Sequence, residues 1–189
     1  MRRFCWGLSL ALTLALFGCA DLADRHQLQY QQPMAGFNMP QVWQFEGRIV
    51  IANDKESVTA PIAWQHDTKQ DLIDLSGPLA QGHVRIAVMS GRVTIDDGDQ
   101  EQFIEGDPDE IVTARLGVEV PVAALKYWVL GLHDERMSVL AQDDGFVQSG
   151  WLVRYKAMQM VGGHQLPYKM SVEKNQTRLK LIVDQWNIL

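Results

Sequence analysis

The chain has 189 residues, 47% of them hydrophobic, which suits one domain with a single sizeable core. Its formal charge is −6, and it has two cysteines, Cys5 and Cys19. A net negative chain excludes a polybasic grip on nucleic acid or anionic lipid, because both need clustered Lys and Arg.

The N-terminus reads as an export signal. Arg2 and Arg3 form a positive n-region, Leu8 to Phe17 an apolar stretch, and Leu16-Phe17-Gly18-Cys19 a lipobox. So short a stretch is a secretory signal, since a spanning helix needs about 20 apolar residues. Cleavage before Cys19 makes residues 1–18 the signal peptide and Cys19 the acylated anchor. It removes Arg2, Arg3 and no acid, so the formal charge moves from −6 to −8. Two or three acyl chains on Cys19 anchor stably without basic help. Cys5 leaves with the signal, so an acylated mature chain has no free thiol for a disulfide, a thiolate metal site or a nucleophile. Ala20 after Cys19 favours outer-membrane sorting over inner-membrane retention.

Residues 19–41 are polar, with Pro33 and Pro40, and read as the lipidated N-terminus and its tether. The folded domain is expected over residues 42–189. From Val42 the pattern alternates: Trp43, Phe45, Gly47, Ile49 and Ile51 share one strand face. Val58, Ala60, Ile62 and Trp64 repeat it after the turn at Asn53–Glu56. Leu72–Leu75 and Val84–Val88 pair across Gly77-Pro78-Leu79, and Val93 and Ile95 precede the acidic turn at Asp96–Asp99, with Phe103-Ile104 beyond it.

The rhythm then changes. Asp107-Pro108-Asp109-Glu110 places a cap, a proline and acids at a helix start. That helix runs to Leu116 before Gly117. Pro121 opens a second helix, Val122 to Leu130, closed by Gly131. It is apolar nearly all round, with Lys126 its one charge, and is therefore expected to border or cover an apolar opening and to move with it. Strands resume at Met137–Ala141, Phe146–Gln148, Trp151–Met158, Leu166–Val172 and Thr177–Trp186. Strands, central helices and more strands describe a sheet curled around helices, so α+β or barrel-like.

Catalytic signals are missing. His26, His66, His83, His133 and His164 are scattered, and neither Gly-x-Ser-x-Gly nor His-Glu-x-x-His occurs. A calcium loop begun at Asp97 would need Gly and Glu where Gln102 and Pro108 stand, so Asp97, Asp99 and Glu101 make an acidic hairpin turn. No enzyme, metal site, nucleotide site or cofactor is expected. What remains is a surplus of apolar side chains, five tryptophans among them, compatible with an ordinary core or an apolar ligand cavity.

The order and spacing of several pieces resemble the LolB family of outer-membrane lipoprotein receptors. These are Trp43 with Gly47-Arg48, Trp64-Gln65, Gly77-Pro78-Leu79, and Gly117-Val-Glu-Val-Pro121 with Leu125, Trp128 and Gly131. Gln148-Ser-Gly-Trp151 with Tyr155, Leu166-Pro167, Leu179-Lys-Leu181 and Trp186 complete the set. Ala80 stands where the family often has Gly. The resemblance covers residue 41 to the end, plus the lipobox.

It implies an α+β fold: an incomplete, open antiparallel barrel of about eleven strands, with helices as plug and lid over an apolar cavity. It implies a non-enzymatic, monomeric receptor, lipid-anchored on the periplasmic face of the outer membrane. Its partners would be the periplasmic carrier LolA, acylated lipoproteins as cargo and outer-membrane lipid, with no nucleic acid. Trp43, Phe45, Ile49, Trp64, Leu125, Trp128, Leu130 and Trp151 are the candidates for the acyl-chain cavity and lid. Gly77, Pro78 and Leu79 form the expected membrane-insertion loop, Leu79 being the residue that dips into the bilayer. A lipid-binding or scaffold lipoprotein that keeps its ligand is the competing reading, and an unrecognised envelope hydrolase a second.

Overall fold

A computed structural model describes residues 29–31, 39–77 and 82–188. The expected signal peptide, Cys19, Pro78 and Leu79 lie outside the described residues. Eleven strands form one sheet: β1 (Trp43–Ala52), β2 (Ser57–His66), β3 (Gln70–Ser76), β4 (His83–Met89), β5 (Arg92–Asp96), β6 (Glu101–Glu105), β7 (Val139–Gln142), β8 (Gly145–Gln148), β9 (Trp151–Val161), β10 (His164–Lys174) and β11 (Thr177–Ile188). Two helices, α1 (Pro108–Leu116) and α2 (Val122–Trp128), lie between β6 and β7 in sequence.

The spatial order is β6-β5-β4-β3-β2-β1-β11-β10-β9-β8-β7, with every neighbouring pair antiparallel. The sheet is thus two meanders joined where β1 pairs with β11, and β6 and β7 remain as edges. It is an open sheet, not a closed barrel, as the incomplete-barrel expectation requires. No helix among the described residues is long and apolar enough to cross a membrane.

Gly47 explains part of the curl. The register between β1 and β11 slips between Glu46 and Gly47, a bulge. A Cβ on Gly47 would stand 2.1 Å from the Ile182 carbonyl oxygen, so only glycine allows this backbone approach. Bulges bend and twist the strands that carry them.

Side-chain size is graded along the inner face. At the Trp43 end, Trp43, Phe45, Trp64 and Trp186 form one aromatic cluster, with ring centroids 5.0–6.1 Å apart. Asp71 fastens its edge by accepting from Trp64 Nε1 at 3.0 Å and bonding His66 Nδ1 at 2.8 Å. A second aromatic group joins Trp128 to Phe146 and Trp151, and Phe146 to Tyr155. At the opposite end of β1 and β2 the inner positions carry Ile49, Ile51, Val58 and Ala60. These smaller side chains leave volume unfilled there.

The helices begin and end as their sequences dictate. Asp107 caps α1 by accepting the Asp109 and Glu110 amides, and Gly117 closes it in the left-handed conformation. The regular part of α2 stops at Trp128, two residues short of the expected Leu130. Its final turn continues as a Schellman motif: Gly131 (φ +82°) donates to the Trp128 carbonyl and Leu132 to that of Tyr127. Gly131 therefore closes the helix as its sequence suggests, while the last turn tightens.

Candidate functional site

The unfilled volume is a cavity of about 500 Å³. Ile49, Ile51, Val58, Ala60, Leu75 and Val84 form its sheet wall, and Leu116 and Val118, at the end of α1 and just after it, form the other. Its polar lining comes from Glu56, Ser76, His83, Asp97 and Asp99. Register explains the wall: Ile51 pairs with Val58, Ile49 with Ala60, and Leu75 with Val84, so three residue pairs in two strand pairs, β1–β2 and β3–β4, turn aliphatic side chains to one place. The volume falls within the roughly 300–1,000 Å³ of ordinary small-molecule sites.

Gly77 and Gly82 also line this cavity, and the Gly77 amide donates to the Gly82 carbonyl at 2.8 Å. The β3–β4 turn, which holds the expected insertion loop, thus closes its neck at the cavity wall. The pairing of β3 with β4 brings that neck, Gly77 and Gly82, to the cavity wall.

The eight candidate cavity residues divide. Ile49 alone among them lines the large cavity. Phe45, Ile49, Trp64 and Leu125 border a slit of about 10 Å³, room for one water at most. Trp43, Trp128, Leu130 and Trp151 line neither and are buried in the core. Large aromatics fill space, so the vacancy lies where the aliphatic side chains are. Leu75, Val84, Leu116 and Val118 went unrecognised because nothing local marks them. Only strand pairing and the position of α1 bring them together.

The two helices are held very differently. The Trp128 indole donates to Gln148 Oε1 at 2.9 Å, and Tyr155 donates its hydroxyl proton to the Trp128 carbonyl at 2.8 Å. Val122, Leu125 and Trp128 are buried, while Ala123 is exposed and Ala124, Lys126 and Tyr127 are half-buried. The expectation that α2 lacks a face suited to water is therefore corrected: small and amphipathic side chains supply one, and α2 is packed as a plug. Helix α1, by contrast, buries only Val112.

Polar contacts hold α1. Asp109 Oδ1 accepts the Ala123 amide at 2.9 Å, and Thr113 Oγ1 accepts the Val120 amide at 3.2 Å. Arg115, in its last turn, forms an ion pair with Asp97 in the β5–β6 turn, across the cavity rim. The Gln100 and Asp99 amides donating to Asp97, and then Arg115, hold its carboxyl below the usual carboxylate value. Burial raises the Asp109 pKa, which backbone hydrogen bonds and neighbouring acids modify.

Among the described residues, no group of three or more His, Cys, Asp or Glu side chains could hold a metal ion. The chemistry on offer is an apolar volume with an acidic rim, beside the neck of the β3–β4 turn at Gly77 and Gly82.

The family described as "Outer membrane lipoprotein LolB" matches residues 41–186. An outer-membrane lipoprotein LolB of Thiobacillus denitrificans is 32% identical over 192 residues, covering 98% of this chain and 98% of the relative. That of Halorhodospira halophila is 29% identical over 187 residues, covering 94% and 92%. Among solved structures, a LolA-superfamily protein from Nitrosomonas europaea superposes with a TM-score of 0.52 at 9% identity, over 80% of this chain and 88% of that one. That likeness shows the fold. With a family match from residue 41 to residue 186 and relatives similar almost end to end, the chain belongs to the LolB family of outer-membrane lipoproteins.

Proposed function

We propose that this protein receives acylated lipoproteins from the carrier LolA, holds their acyl chains in the cavity between α1 and the sheet, and delivers them to the outer membrane from its periplasmic face. The observation that carries the reading is the apolar cavity of about 500 Å³ whose wall includes Gly77 and Gly82, the neck of the β3–β4 turn. A route from cavity to bilayer then runs past residues 78–81, with Leu79 as the side chain that enters lipid and Cys19 as the acylated anchor.

Thermodynamics demands direct handover. Three acyl chains hold on the order of forty methylenes, worth roughly 30 kcal/mol at about 0.8 kcal/mol each. Release into water is prohibitive, so the chains must pass from one apolar enclosure to the next, and transfer must run downhill to the bilayer. A cavity of this size is that of a site for one small ligand. Taking three chains therefore requires it to open, and α1, which fully buries a single side chain and is otherwise tied by a few polar contacts, is the element most readily released. The lid is then α1, and α2 is the plug.

The reading is tested by mixing LolA loaded with a labelled lipoprotein with liposomes carrying this protein. Label should leave the carrier and float with the liposomes. Label that stays on the carrier overturns the reading. Label that moves to this protein but never to lipid marks it as a ligand-keeping lipoprotein instead.

A further inference from the structure

Tyr30 belongs to the segment that reads from sequence as a tether, yet its ring is only 9% exposed. It stacks on Tyr155 of β9 with centroids 4.4 Å apart and planes at 24°. Its hydroxyl donates a long hydrogen bond, 3.4 Å, to the carbonyl of Gly131, the residue that closes α2. Next to it, the Gln29 carbonyl accepts from Gln165 Nε2 of β10 at 3.0 Å. Burial pushes the Tyr30 phenol up to about 12. Thirteen residues before the first strand, the chain is already fastened to the far half of the sheet.

We propose that Tyr30 is a positioning residue: it clasps the N-terminal segment to β9 and β10, so that the lipid anchor is leashed from Gln29 and not from Trp43. This rests on Cys19 being the acylated residue. The leash is then the ten residues from Cys19 to Gln29, at most about 35 Å when fully extended. Without the clasp it would run to Val42, at most about 80 Å.

Strand register gives the clasp a direction. Gln165 pairs with Met160 near the start of β10, the end of the sheet that holds Trp43 and Ile188. The cavity and the Gly77–Gly82 neck lie at the other end, beside Ile51 and Val58. A strand of ten residues is about 33 Å long. The clasped leash is thus comparable to the sheet it must pass, so the cavity can reach the bilayer and lies no farther from it than leash plus sheet, about 70 Å. A leash from Trp43 would let the domain wander more than twice as far.

The test inserts ten Gly/Ser residues at two places in the full lipidated chain. One insertion lies between Asp24 and Arg25, upstream of the clasp, and the other between Ala35 and Gly36, downstream. A fluorophore on Phe103→Cys, an exposed position on the β6 edge, reports energy transfer to acceptor lipids in liposomes. The upstream insertion doubles the leash and should raise its r.m.s. reach about 1.4-fold, lowering transfer. The downstream insertion should leave transfer unchanged, and should lower it once Tyr30→Ala is added. Equal effects of both insertions in the presence of Tyr30 overturn the clasp. A chain that fails to float with liposomes removes the Cys19 anchor, and this inference with it. The melting temperature of each variant is compared with wild type, so misfolding is read separately from leash length.

Discussion

Gln148 on β8 accepts the indole proton of Trp128 at 2.9 Å and, through the same Oε1, the amide of Asp134 at 3.0 Å. Its Nε2 donates to the Asp134 carbonyl at 2.8 Å. One side chain, 1% exposed, thus ties the end of α2 and the following loop to the sheet. Gln148→Leu would leave the Trp128 N–H and both Asp134 backbone groups without these partners. We expect a loss of about 3 kcal/mol, lowering the melting temperature by about 6–12 °C. A melting temperature within 1–2 °C of wild type would show that α2 is not held here.

Arg115 and Asp97 bridge the rim between α1 and the β5–β6 turn. If α1 opens the cavity, Arg115→Gln should speed uptake of a fluorescent fatty-acid probe several-fold while leaving the melting temperature nearly unchanged, since exposed pairs add little stability. The pH dependence has a fixed sign. The Asp97 pKa lies below its ordinary 3.8, so its contribution is present above that value and is lost as pH falls through the folded pKa. Wild-type uptake should therefore quicken in acid below about pH 4, and Arg115→Gln should flatten that rise. Uptake insensitive to Arg115 would leave the bridge an ordinary surface pair.

Leu79→Glu should leave folding and uptake from the carrier near normal while slowing insertion of cargo into liposomes at least about tenfold, because a carboxylate in the hydrocarbon costs several kcal/mol. The relevant readout is carrier-to-receptor transfer measured separately from receptor-to-liposome transfer. Insertion at the wild-type rate would reduce Leu79 to a surface residue.

Gly47→Ala should be among the most damaging single changes in the chain. The new methyl would meet the Ile182 carbonyl oxygen, a backbone atom that can move only if the β1–β11 pairing moves. We expect at least about 3 kcal/mol lost in denaturant unfolding. A shift below about 1 kcal/mol would mean that the bulge relaxes at little cost.

Much of the fold was legible because its signals are local. Alternation in Trp43–Ile51 and Leu179–Val183 marks strands, and Asp107-Pro108 and Gly131 mark helix ends. The site was less legible. Trp43, Trp128 and Trp151 attracted attention as large apolar side chains, yet size is what makes them core. The cavity lies where Ala60, Val58 and Val84 leave room, a property of pairing between strands that no single segment encodes. The clasp was invisible for the same reason: Tyr30 sits in a polar stretch, and its partners Gly131 and Tyr155 lie more than 100 residues away.

The most direct test of where acyl chains go is photo-crosslinking to acylated cargo from single benzophenone positions. Val84 and Leu116, on opposite walls of the cavity, should capture cargo, and Trp128, inside the plug, should not. Capture at Trp128 with none at Val84 or Leu116 would contradict the account.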